Sequence, residues 1–176
     1  MDLIKQNDAY RTQDLFGIVS LIVRELPDAV LKFADHIFEM IHLMIHIQPK
    51  YVLKLLQEIN KPELKQKLFS HMYLILPEVL TLIEQSRKHA DVLAEQNITR
   101  SNDLILLTQE AMRILPSFEM MILDDHLYLI IPLLLRTASC GRNSIEINNM
   151  QKIAIQMMNL MVVCSTFREF TAQVIH

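Results

Sequence analysis

Residues 124–136 read D-D-H-L-Y-L-I-I-P-L-L-L-R, and this stretch decides the fold class. Two carboxylates open it and an arginine closes it. Between His126 and Arg136 every residue is apolar apart from Tyr128 and Pro132. Carboxylates at the front and a cation at the back complement a helix dipole. Asp124 or Asp125 can accept from the free amides of the first turn. Pro132 falls inside the helix and has no amide to give the carbonyl of Tyr128, so a kink is expected there. A helix apolar on nearly all sides packs between other helices.

The same device stands earlier in the chain. Tyr73 precedes Pro77 as Tyr128 precedes Pro132, and His71 and His126 each lie just ahead of the tyrosine. His36 with Phe38 gives a third copy without the proline. The second interval between these copies is longer than the first, and the polar stretch 85–100 supplies the extra length. Helix pairs recurring at such intervals are the mark of HEAT and armadillo arrays, in which neighbours stack because no pair buries its own apolar face. The expected fold is therefore all-α, an α-solenoid of stacked antiparallel helix pairs with about three to four repeats. As a single array over residues 1–176, it divides into a weak repeat at 14–60, a repeat with an insertion at 61–115, a repeat at 116–166 and the start of another at 167–176.

Outward from the opening stretch, the apolar spacing places the helices. Residues 1–13 are mixed and polar, without a clear period, and are expected to fray. Leu15, Ile18, Val19, Ile22, Val23 and Leu26 form a helical stripe that Asp14 opens and Pro27 stops. A helix from Ala34 to about Ile47 turns Ile37, Phe38, Ile41, Met44 and Ile45 to one side. Pro49 suits the start of a third helix, which buries Val52, Leu55, Leu56 and Ile59. Asn60 with Glu63 resembles a capping box. Residues 85–100 read as a surface connection with at most a helical turn near Val92–Leu93. Ser101 or Asn102 is expected to cap a helix carrying Leu104, Leu107, Ala111, Met112 and Leu115, which Pro116 ends. Residues 139–144 form a loop. Met150, Ile153, Ala154, Met157, Met158 and Met161 make the last strong stripe, and Phe167–Ile175 begins another helix.

Composition narrows the function classes. The chain has 176 residues, 51% of them hydrophobic, with only 2 glycines and a net charge of −3. So few glycines argue against a glycine-rich phosphate loop and against sheets joined by tight turns. The basic residues are scattered, where a nucleic-acid footprint clusters them, so no nucleic-acid partner is expected. No apolar run reaches the ~20 residues of a membrane span. The two cysteines, without an export signal, fit a reducing, cytoplasmic setting. Asn97-Ile98-Thr99 matches a glycosylation sequon by chance on that reading.

Candidate chemistry is sparse. His42 and His46 lie one turn apart with His36 and Glu39 nearby, a spacing that can hold zinc. A catalytic zinc helix places a glutamate between such histidines, and here Leu43, Met44 and Ile45 intervene. The expectation is a solvated or hydrogen-bonded helix face and no metal. Cys140, beside Gly141 and Arg142, is read as a structural thiol, although an arginine can lower a thiol pKa. Asp124 and Asp125, as neighbours on a helix, diverge by about 100° and serve capping better than acid–base chemistry. The methionine stripe at 150–161 fills the core or else lines an adaptable groove. No catalytic residue, cofactor or metal site is assigned.

Leu123-Asp124-Asp125-His126-Leu127-Tyr128-Leu129-Ile130-Ile131-Pro132 resembles a helix in the HEAT-repeat region of target-of-rapamycin (TOR) kinases. His126 stands where that family has an aromatic residue, and Tyr128 where it often has histidine. Met112–Leu115, His71–Leu80 and Phe167–His176 resemble its flanking repeats, so residues ~60–176 are covered. Residues 1–59 fit only as generic repeat. The resemblance implies a non-catalytic scaffold segment of a serine/threonine kinase of growth and nutrient signalling. Its implied partners are the rest of a kinase chain, a regulatory WD-repeat-containing subunit and a homodimeric copy. No active-site residue is carried over. The chain ends within a repeat on this reading, which predicts a longer reading frame or an obligate assembly. The alternative is a free-standing armadillo- or importin-like helical adaptor binding a protein partner.

Overall fold

The computed structural model describes the backbone of residues 2–121, 124–141 and 144–174, and the side chains of 11, 13–61, 64–118, 126, 129–141 and 144–162. Among the described residues every regular element is helical. The α-helices are α1 (Asp2–Glu25), α2 (Pro27–Lys32), α3 (Ala34–Met44), α4 (Pro49–Ile59), α5 (Pro62–Lys65), α6 (Phe69–Leu93), α7 (Ile98–Ile114), α8 (Asp124–Ala138) and α9 (Ile145–Val174). A 3-10 helix, Leu115–Met121, follows α7. The all-helical class expected from the apolar spacing is what the structure shows. Contacts gather into two compact units, Met1–Val79 and Leu80–His176.

In the first unit α4 carries the most fully buried face. It packs on α1 and α3, and α2 packs on α1 and α3. Val52, Leu53, Leu55, Leu56 and Ile59 are all buried to 1% exposure or less. Each such side chain contributes about 1.5–3 kcal/mol of burial. That outweighs the missing cap at Gln48, whose side chain makes no capping bond, a loss of about 1 kcal/mol. Pro49 in the first turn needs no amide donor, which is why the chain can restart a helix directly after Gln48. On α3, Phe38 and Ile41 turn inward as their spacing requires, and Ile45, just past its end, is buried with them.

Two expectations about the beginning of the chain are corrected. The segment expected to fray is helical from Asp2, so Asp14 is not at a helix start. Its stripe is also rotated. Phe16 and Val23 are buried, while Leu15, Ile18 and Leu26 are 48%, 57% and 58% exposed. Phe16 stacks on Tyr51 of α4 at 6.0 Å between ring centroids. An aromatic platform across the interface selected a face that apolar spacing alone left ambiguous. At α5 the N-cap position is Lys61, without a side-chain bond, and Asn60 closes α4 instead. The side chain of Glu63, the other half of the expected capping box, lies outside the described residues.

In the second unit α9 packs on α7, α8 and the 3-10 helix, and the 3-10 helix also packs on α7. Leu107, Ala111, Met112 and Ile114 of α7, Ile130 and Leu134 of α8, and Met150, Ala154 and Met157 of α9 form its core. The largest correction falls here. Residues 85–100 are not a loop: α6 continues to Leu93 and α7 begins at Ile98. The cap of α7 is Asn97, whose Oδ1 accepts from the amide of Arg100 at 3.0 Å. Ser101, expected as the cap, is buried and donates to the carbonyl of Ala90 at 2.7 Å. No new helix starts at Phe167, because α9 runs unbroken to Val174. The helix α8 continues through Pro132 and α6 through Pro77.

Candidate interaction surfaces

Among the described residues, polar side chains join helices within each unit, and several apolar side chains stand exposed. In the first unit, Glu78 of α6 holds two histidines. His46 Nε2 lies 2.8 Å from Glu78 Oε2, and His42 Nδ1 lies 3.5 Å from Oε1. The last turn of α3 and the turn that follows it bring both rings to the same carboxylate. His36 and Glu39 are exposed and stand outside this clasp. Among the described residues no group of three or more histidine, cysteine or acidic side chains is arranged to hold a metal ion. The face is hydrogen-bonded, with Glu78 as the partner that the sequence did not reveal. A glutamate that follows Pro77 on a distant helix gives no local signal of such a contact.

His71 completes a second latch. Its Nε2 lies 2.8 Å from Asp35 Oδ1, and its ring sits 5.0 Å from that of Phe38. Asp35 is 93% exposed in its side chain, so the pair is worth at most about 1 kcal/mol. Position, more than strength, is what it supplies: it fixes the start of α6 against α3.

In the second unit a polar seam joins α6, α7 and α8. Ser86 and Thr108 share a 2.9 Å hydrogen bond in the core. Ser86 also approaches the Leu82 carbonyl at 2.6 Å, and Thr108 approaches that of Leu104 at 2.7 Å. Two hydroxyl protons serve these three contacts, so one of the three is a close approach without its own proton. Arg87 reaches the end of α8. Its guanidinium donates to Thr137 Oγ1 at 2.8 Å and to the carbonyl of Arg136 at 3.3 Å. A cation on the last carbonyls of a helix satisfies acceptors that have no partner within the helix and complements its dipole. Glu84, one turn before, accepts from Lys88 at 2.9 Å and faces Arg136 at 3.7 Å. The hydrogen bond from Lys88, with the positive charge of Lys88 and Arg136, holds the Glu84 carboxyl below its ordinary range. Apart from Arg136, read as the cation that closes α8, none of these residues was singled out in the sequence. Read as a loop, residues 85–100 hide the helical spacing of Glu84, Ser86, Arg87 and Lys88.

Cys140 is a free, half-buried thiol whose carbonyl accepts from Gln151 at 2.8 Å. The side chain of Arg142 lies outside the described residues, as do those of Asp124, Asp125, Tyr128 and Cys164. Of the methionine stripe, Met150 and Met157 are buried, while Met158 and Met161 are half-buried at its edge. The stripe therefore packs the second unit.

Among the described residues, exposed large apolar side chains occur on several helices, α1, α8 and α9 among them. Ile18 and Leu21 on α1, Ile131 and Leu135 on α8, and Ile155 and Val162 on α9 are each between 42% and 63% exposed. No helix is long and apolar enough to cross a membrane among the described residues. Compared with known proteins, the chain matches no family model, no curated protein and no solved structure.

Proposed function

We propose that this chain is a non-catalytic, HEAT-type helical scaffold of a TOR-like serine/threonine kinase, working in the cytoplasm through contacts with other proteins. The observation that carries the reading is α8. With Leu123 just before it, its sequence has the L-D-D-H-L-Y-L-I-I-P pattern, and the helix packs on α9. Large apolar residues left on the outer faces of α8 and α9 fit a segment covered by further protein. On this reading the chain itself catalyses nothing, and its polar side chains join helices. The solenoid arrangement, the kinase and the regulatory subunit are parts of the proposal. Sequencing the transcript beyond His176 tests it. A kinase domain in the same frame supports the scaffold. A stop codon there, together with a monodisperse soluble monomer, overturns it.

A further inference from the structure

The helix α1 has an inward side and a bare side. Phe16 and Val23 are buried and Val19 is half-buried, which fixes the inward side against α4. Asp14, Gly17, Ile18, Leu21 and Arg24 are all exposed on the other. Asp14, Gly17, Leu21 and Arg24 fall at the alternating three- and four-residue spacing of a coiled-coil seam.

That seam is self-complementary. Placed antiparallel to a copy of itself about a two-fold axis at Val19, it sets Gly17 opposite Leu21 of the copy, and Leu21 opposite the copy's Gly17. Small against large fills both central layers. The outer layers set Asp14 opposite Arg24 at each end, acid against base. Ile18, 57% exposed, falls near the axis and meets its own copy. A two-fold interface requires this reciprocity, in which each residue contacts the mate of its own partner.

Gly17 supplies an independent observation. Glycine inside a helix costs about 0.5–1 kcal/mol relative to alanine. Among the described residues a Cβ built at Gly17 meets nothing within 4 Å, so none of them demands the glycine. A closely approaching Leu21 from a second copy does. Arg24 now bonds Glu25 at 2.8 Å, but both side chains are more than half exposed. Such a pair contributes little and exchanges readily for another.

We propose that α1 is a self-association helix whose bare face is covered by α1 of a second copy, antiparallel about Val19. The inference rests on this surface and not on the kinase-scaffold reading, so either can fail without the other. One helix per copy makes an interface at the low end of the size range, and the dimer is accordingly weak and concentration-dependent.

Sedimentation equilibrium of the full chain, from low micromolar to near-millimolar concentration, tests it. The wild type is expected to dimerise reversibly. Asp14→Arg and Arg24→Asp each place like charges at both ends and weaken the dimer about tenfold or more. The double variant Asp14→Arg/Arg24→Asp restores it, an outcome that a merely folding defect does not produce. In a Cys140→Ser/Cys164→Ser background, Ile18→Cys is expected to crosslink copies on oxidation, which reports the axis directly. A monomeric wild type throughout the range overturns the proposal and leaves the face to a different protein. A dimer indifferent to both charge reversals, or one that the double variant fails to restore, overturns it equally.

Discussion

The helices α6 and α8 share a local signature, and the structure uses it differently in each. Both have an internal proline with a tyrosine one turn before it and a histidine just ahead of the tyrosine. In α6 the histidine, His71, is half-buried and meets an exposed carboxylate, while Glu78, beside the proline, clasps two more histidines. In α8 the histidine, His126, is 6% exposed and belongs to the core. Pro77 is half-buried, whereas Pro132 faces solvent. Among the described residues of α8, charged contacts lie at its far end, where Arg87 and Glu84 meet Thr137 and Arg136. A local pattern therefore fixes where a helix tolerates a missing amide. What packs against that turn fixes which of its neighbours become polar latches.

The comparison breaks most visibly in the core. Leu76→Ala in α6 and Leu134→Ala in α8 remove side chains with 0% exposure, and each is expected to cost about 2–5 kcal/mol in denaturant unfolding. Leu74→Ala and Leu135→Ala, at 69% and 54% exposure, are expected to stay within about 0.5 kcal/mol. Equal costs at buried and exposed positions would refute the assigned faces.

The two prolines give the next effect. Replacing either with alanine restores an amide to the tyrosine carbonyl one turn back, and a proline in a helix interior costs up to ~3 kcal/mol relative to alanine. Pro132→Ala is expected to raise the melting temperature. Pro77→Ala is expected to raise it less, because the half-buried ring also contributes packing that alanine loses. The reverse order would mean that Pro132 is held by contacts beyond those of an exposed ring.

The smallest contrast lies in the latches. Arg87→Ala removes two bonds to the end of α8 and is expected to cost about 1–2 kcal/mol. Glu78→Ala releases two partly exposed histidines and is expected to cost under ~1 kcal/mol. Urea midpoints rank them. An equal or larger loss at Glu78 would make the first unit's clasp, rather than the second unit's seam, the stronger join.

Much of this was legible in the sequence. Proline placement and apolar spacing locate α3, α4 and α7, and the buried set Val52, Leu55, Leu56 and Ile59 follows from its period alone. The His42–His46 pair was visible as a hydrogen-bonded face but its partner, Glu78, was not. Residues 85–100 failed as a helix on polarity. Their helix is held by Ser86, Arg87 and Ser101 bonding to other segments, and a polar residue shows no periodicity of its own.

The sequence by itself determined an all-helical chain, because few glycines and spaced leucines leave little else to form. Only the tertiary structure decided which side of α1 turns inward. The sequence offered the stripe Leu15, Ile18, Val19, Ile22, Val23 and Leu26; the structure keeps Val23 inside, adds Phe16 and leaves Leu15, Ile18 and Leu26 exposed. Stacking of Phe16 on Tyr51 chose the inward side. Periodicity fixes the angles between side chains on a helix, but the direction of the core is a property of what packs against it.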